Sequence, residues 1–141
     1  MRVSRDEMLI NIARVSAMRA TCLRLSVGAA IAKEGRIIST GYNGSPAGTP
    51  HCDESNCTSE QACTRTIHAE AGAISFAARH GVSLNGASMY LTHAPCLDCA
   101  KLMINTGIVE VVYDIPYRKT DGVDLLRSVG ILVREYGIDQ A

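Results

Sequence analysis

Near the start of the chain apolar residues recur at helical spacing: Met8, Ile12 and Val15, with Leu9 and Ala13 beside them, form a stripe that runs to about Ala20. Ser4 followed by Glu7 places a capping box at its head. The period then changes. Residues 27–32 and 36–42 are short β-prone runs, and Lys33-Glu34-Gly35 between them suits a hairpin. Over residues 43–66 apolar periodicity vanishes and Gly, Pro, Ser, Thr, Asn and Cys dominate. A connection of that length is uncommon in a compact domain unless it is functional or tied down.

Helical spacing returns over residues 67–80, with Ala69, Ala73, Phe76 and Ala77 on one stripe and Gly81 as a stop. Residues 88–92 read as a strand. Pro95 then opens a helix that runs through Thr106 and is closed by Gly107, and residues 109–113 form a β-branched strand. One more helix over 121–129 and one more strand over 131–136 complete the pattern. This alternation predicts an α/β fold whose second half is largely parallel and attached to the opening hairpin. With 141 residues, no internal repeat and no low-complexity tract, a single domain spanning 1–141 is expected.

Charge narrows the choice of partner. Lys plus Arg and Asp plus Glu number 14 each, so there is no basic footprint for a nucleic-acid backbone. The absence of Trp and the single Phe leave little for stacking bases along a groove. A small diffusible substrate fits better than a polymer. The polar N-terminus lacks the pattern of a signal peptide, and no window reaches the apolar length of a membrane span. A cytoplasmic, reducing compartment is therefore expected, in which six cysteines read as metal ligands rather than disulfides.

The chemistry concentrates in His68-Ala69-Glu70 and Pro95-Cys96-Leu97-Asp98-Cys99. One imidazole and two thiolates fill three corners of a tetrahedral zinc (Zn2+) site and leave the fourth for water, the arrangement of a hydrolytic centre. Glu70 is then free to move protons, and His-x-Glu with Pro-Cys-x-x-Cys is the signature of zinc nucleobase deaminases. Cys96 and Cys99 are three apart and share one face of the turn after Pro95, where the helix dipole favours thiolates. A closed structural zinc with Glu70 as a surface residue is the competing reading; the missing fourth ligand argues against it. His80 reads as a helix C-terminal residue aiding the dipole, and His93 carries no assigned role.

Tyr117 and Arg118 follow the 109–113 strand at its C-terminal edge, where open α/β sheets bind ligands. Tyr117 could pack on a nucleotide, Arg118 could clamp a phosphate, and Arg24 is a second phosphate candidate; each arginine alone is more often a solvated surface group. Phe76 and Arg79 read as core packing and a subunit contact, with coupling to an effector as the sharper alternative. Cys22, Cys52, Cys57 and Cys63 supply a complete all-cysteine set for a second, structural zinc that would order the 43–66 loop. His51 could replace one of them, and four free thiols are the alternative.

Together, Gly41-Tyr42-Asn43-Gly44-Ser45-Pro46-Ala47-Gly48, Thr66-Ile67-His68-Ala69-Glu70 and Ala94-Pro95-Cys96-Leu97-Asp98-Cys99 resemble deoxycytidylate (dCMP) deaminases, within the cytidine deaminase-like superfamily. The resemblance spans about Arg19 to Tyr117. It implies a three-layer α/β/α fold around a mixed five-stranded sheet, a homo-oligomer that is often a hexamer, and hydrolytic conversion of dCMP to dUMP, which supplies dUMP for thymidylate synthesis. It also implies activation by dCTP and inhibition by dTTP, with Mg2+ accompanying these effectors. By position, His68, Cys96 and Cys99 would hold the catalytic zinc and Glu70 would shuttle protons. Asn43 would contact substrate, and the loop of Asn43, Gly44, Ser45, Ala47 and Gly48 would bind regulatory nucleotide, its glycines letting backbone N–H groups approach phosphate. Relatives of the resembled family carry a second zinc near the remaining cysteines. A deaminase of free cytidine, cytosine or tRNA adenosine, and a catalytically silent zinc-binding module, are the competing functions.

Overall fold

The computed structural model describes residues 1–57 and 63–138; the centre of the 43–66 loop and the last three positions of the expected domain lie outside the described residues. Nine elements follow one another: α1 (Arg5–Ala17), β1 (Gly28–Lys33), β2 (Arg36–Tyr42), α2 (Ala69–Arg79), β3 (Ser88–His93), α3 (Leu97–Asn105), β4 (Glu110–Ile115), α4 (Asp121–Ser128) and β5 (Leu132–Glu135). The strands form one mixed sheet in the order β2-β1-β3-β4-β5. β1 runs antiparallel to both β2 and β3, whereas β3, β4 and β5 are parallel. The hairpin and the parallel second half stand as the alternation predicts. Glu34 and Gly35 at the hairpin turn both have positive φ, 54° and 76°, which matches the right-handed twist of the strands they join.

Three layers result. Leu9, Ile10 and Ala13 of α1 pack with Ala30, Ala32, Tyr90 and Val112 on one face of the sheet. On the other face α2, α3 and α4 cover Ala29, Ile31, Met89, Leu91, Val111 and Val133. Ser4 caps α1, its hydroxyl accepting from the Glu7 backbone N–H at 3.0 Å. The stripe drawn from the sequence is displaced, however. Met8 is 40% and Val15 63% exposed, and the buried face of α1 is Leu9, Ile10, Ala13 and Ala17. Small residues win this face because the helix backbone lies against β1: a Cβ on Gly28 would run into the Ala13 carbonyl and the Ala17 amide.

The same device seats α2. A Cβ on Gly41 would meet the Ala69 carbonyl and the Ala73 amide, and the Ser39 hydroxyl donates to the Ala73 carbonyl at 2.7 Å. α2 therefore presents alanines to the sheet, and Phe76, read from the sequence as core, is 55% exposed. At the end of the sheet away from the C-termini of β3 and β4, the buried Arg134 bridges Asp6 at 2.7 Å and Glu110 at 3.2 Å, while Tyr90 donates to Asp6 at 2.9 Å. Among the described residues no helix is long and apolar enough to cross a membrane.

Candidate metal centre and nucleotide cavity

His68 and Cys96 occupy the N-cap positions of α2 and α3, both with extended backbone and neither with a side-chain capping bond. Ser, Thr, Asp and Asn are the usual N-cap residues because their side chains satisfy the free N–H groups of the first turn. Here two helices forgo that bond, and the two side chains turn to each other instead. Gly122 closes the arrangement from α4, since a Cβ there would crowd the Cys96 backbone.

His68 Nδ1 lies 3.4 Å from Cys96 Sγ and 3.4 Å from Cys99 Sγ. Among the described residues this is the group whose ligand atoms all fall within 4.8 Å of one another. Bonds of about 2.3 Å to sulfur and about 2.0 Å to nitrogen at tetrahedral angles put nitrogen and sulfur roughly 3.5 Å apart. Both nitrogen–sulfur edges of the triangle match zinc ligation.

Its electrostatics follow from the same contacts. Hydrogen bonds from the Cys99 thiol and His68 pull the Cys96 thiol down to about 3, and the Cys99 backbone N–H adds to this. Cys99 is pushed upward by Cys96 beside it and by burial. The Cys96 contact raises His68 above the ordinary imidazole range, against the effect of its burial. Glu70, 4% exposed, is held up by burial, while its own backbone N–H and His68 favour the charged form. A carboxyl so placed can hold a proton or release it.

His68, Glu70 and Cys96 form one wall of a cavity of about 210 Å3, with Leu25, Val27, Asn43, Thr66, His93 and Tyr117 among its other lining residues, while Cys99 lies buried behind it. Asn43 and Tyr117 thus line the same cavity as the metal centre, but Arg24 and Arg118 do not. Arg118 is exposed one residue beyond Tyr117, and Arg24 faces the second cysteine set. The Asn43 side chain is already engaged: its Nδ2 donates to the Leu25 carbonyl at 2.7 Å and its Oδ1 accepts from the Val27 N–H at 2.8 Å. It builds the cavity wall by pinning the 25–27 segment. Leu25, Val27, Thr66 and His93 are lining residues that the sequence reading missed; for His93 the available signal was its place at the end of a strand just before Ala94-Pro95-Cys96.

Cys22, Cys52, Cys57 and Cys63 close around a second cavity of about 10 Å3, too small for an organic ligand, which they share with Arg24 and Thr66. Their sulfurs are not at the spacing of the His68 group. His51 does not line it. The Cys63 thiol is brought down to about 7 by the Thr66 hydroxyl and the Thr66 and Arg65 backbone amides. Gly44, Ser45 and Ala47 line a third hollow, of about 370 Å3, with Tyr42, Phe76 and Arg79. Asn43 and Gly48 line no part of it. The Gly44 N–H, expected to be open to phosphate, donates to the Ile67 carbonyl at 3.2 Å, and the Ser45 N–H donates to the Thr21 hydroxyl at 3.2 Å.

A family model described as the cytidine and deoxycytidylate deaminase zinc-binding region matches residues 3–115. The chain is 39% identical to ComE operon protein 2 of Bacillus subtilis, over 99% of this chain and 75% of that protein. It is 37% identical to the deoxycytidylate deaminase of Enterobacteria phage T2, over 89% of this chain and 88% of the phage protein. The crystal structure of the dCMP deaminase of cyanophage S-TIM5, in complex with dCMP and dUMP, superposes with a TM-score of 0.87 at 32% identity, over 96% of this chain and 98% of the other.

Proposed function

Because the chain belongs to the cytidine and deoxycytidylate deaminase family, we propose that it is a dCMP deaminase, releasing ammonia from dCMP to give dUMP for thymidylate synthesis. The observation that carries this reading is the His68–Cys96–Cys99 triangle at zinc-ligand spacing with the buried Glu70 carboxyl beside it in one cavity. When bound, zinc supplies Lewis-acid activation of water at this site. Glu70 takes a proton from water as oxygen adds at the amine-bearing ring carbon. It delivers that proton to the ring nitrogen, then takes the second from the added hydroxyl and passes it to the amine, which leaves as ammonia as the carbonyl forms. Burial raises the Glu70 carboxyl above its ordinary range, which favours its holding a proton between the two transfers.

Tyr117 packs on the nucleotide at the cavity wall, and Asn43 shapes the pocket while keeping one amide hydrogen for the substrate. Arg118 and Arg24, each adjacent in sequence to a lining residue, serve the 5′-phosphate at the mouth. A second zinc held by Cys22, Cys52, Cys57 and Cys63 orders the loop between β2 and α2. The hollow beside Gly44, Ser45 and Ala47 takes dCTP or dTTP with Mg2+ as effector, and the chain works as a homo-oligomer, in the manner of a hexamer. The test is an absorbance assay of dCMP against dCTP, cytidine and cytosine on protein of known zinc content, with and without dTTP. Turnover of dCMP in preference to the others, suppressed by dTTP, is expected. Zinc-loaded protein that leaves dCMP intact overturns the reading.

A further inference from the structure

His93 is the last residue of β3, opposite Ile115 in the parallel ladder, and it lines the same cavity as Glu70 and Cys96. A short relay of hydrogen bonds sets its proton. The Gly28 backbone N–H donates to Thr92 Oγ1 at 3.0 Å, and Thr92 Oγ1 lies 2.8 Å from His93 Nδ1. Thr92 is buried, so its hydroxyl hydrogen needs an acceptor within the protein; among the described residues that acceptor is His93 Nδ1. The ring proton then resides on Nε2. Burial holds the imidazole below its ordinary range, with Asp114 acting weakly the other way, so the ring is neutral.

A neutral donor suits a neutral acceptor. Phosphate recruits arginine and lysine, whereas the sugar and base of a nucleotide offer uncharged oxygens. Elsewhere in the cavity Leu25, Val27 and Ala69 are apolar, Asn43 gives its oxygen and one amide hydrogen to backbone, and Tyr117 is half exposed. We propose that His93 is a specificity-determining residue that donates its Nε2–H to an uncharged oxygen of the nucleoside part of the substrate, with Thr92 as the positioning residue that fixes the tautomer. The proposal rests on the reading of this cavity as a dCMP site. A substrate lacking that oxygen would leave the donor without a partner in a desolvated wall, which is how such a group discriminates.

The test compares His93→Phe, which keeps a ring without the donor, with His93→Gln, which restores an N–H near the position of Nε2, using dCMP and deoxycytidine as substrates. His93→Phe is expected to lower kcat/KM about tenfold on both substrates, with zinc content and Tm unchanged. His93→Gln is expected to recover most of that loss. Thr92→Val should lower kcat/KM in the parent chain and add nothing in the His93→Phe background. Parent-like activity of His93→Phe, a loss confined to dCMP, failure of Gln to rescue, or additive Thr92 and His93 effects would each overturn the proposal. A zinc-loaded parent protein that does not turn over dCMP overturns the functional reading along with it, and that outcome is read from the parent chain alone.

Discussion

The two cysteine sets belong to neighbouring cavities that share Thr66 as a lining residue, yet they are built by opposite means. Cys96 and Cys99 stand on the first turn of α3, and their partner His68 caps α2, a helix seated on the sheet through Gly41 and Ser39. Tertiary packing sets their spacing before any metal arrives. Cys22, Cys52, Cys57 and Cys63 lie on connections between elements, supported by local bonds such as Ser45 Oγ to Cys52 Sγ at 3.5 Å and Cys63 Sγ to Thr66 Oγ1 at 3.4 Å. Binding energy at the first set is available for chemistry, because the ligand geometry is already in place; a metal at the second set would spend its binding energy on ordering chain.

The largest effect that would test this contrast is at Glu70. Glu70→Gln should cut kcat by about 10³-fold or more while metal content stays at the parent value, as measured by steady-state assay and metal analysis. Retained turnover would show that the proton traffic runs elsewhere. Next comes Gly41→Ala, which forces α2 off β2; it should cost at least about 2 kcal/mol in denaturant unfolding and also lower affinity for the first metal. Unchanged metal affinity in that variant would break the link between packing and preorganisation.

Cys57→Ala is expected to be milder. It should remove one metal per chain, lower Tm by several degrees at about 3 °C for each kcal/mol lost, and leave kcat within about twofold. KM should rise, because Thr66 and the segment around Arg24 and Leu25 are shared between the two cavities. Parent-like melting with both metals retained would remove the second site. The smallest effect is one of rate: in metal-free protein, iodoacetamide should label Cys63 with a rate that climbs through a pH of about 7, since the thiolate is the reactive form and appears as pH rises past its pKa. The buried Cys99 should lag behind it at every pH, and zinc should protect both.

What the sequence makes legible divides along the same line. His68 with Glu70, and Cys96 with Cys99, lie within single turns, so local spacing reports their geometry, and β2 stands at the expected residues 36–42. The faces of α1 and α2 do not read as well, because both helices press backbone against glycine and so bury alanine while Val15 and Phe76 face outward. Hydrophobicity gives little contrast where packing selects for smallness. The rest of the cavity wall comes from residues 25, 27, 43, 66, 93 and 117, which only the sheet order brings together. Tyr117 at a strand edge, Asn43 through the resemblance and His93 just before Pro95 carry a local signal, whereas Leu25, Val27 and Thr66 carry none. The engagement of Asn43 with the Leu25 carbonyl and Val27 N–H is a long-range fact of the same kind.

The Arg134 bridge joins side chains 128 positions apart, near the two ends of the described chain. During synthesis the N-terminal segment emerges first, and α1 has its sheet partners in β1 and β3 well before β5 exists. Until Arg134 leaves the ribosome, Asp6 and Glu110 are two nearby carboxylates with no guanidinium between them, and Tyr90 has only Asp6 to bond. The last strand therefore adds a late electrostatic tie to a first helix already seated by its packing on β1 and β3 and by the Arg14–Asp114 bridge to β4 at 2.7 Å.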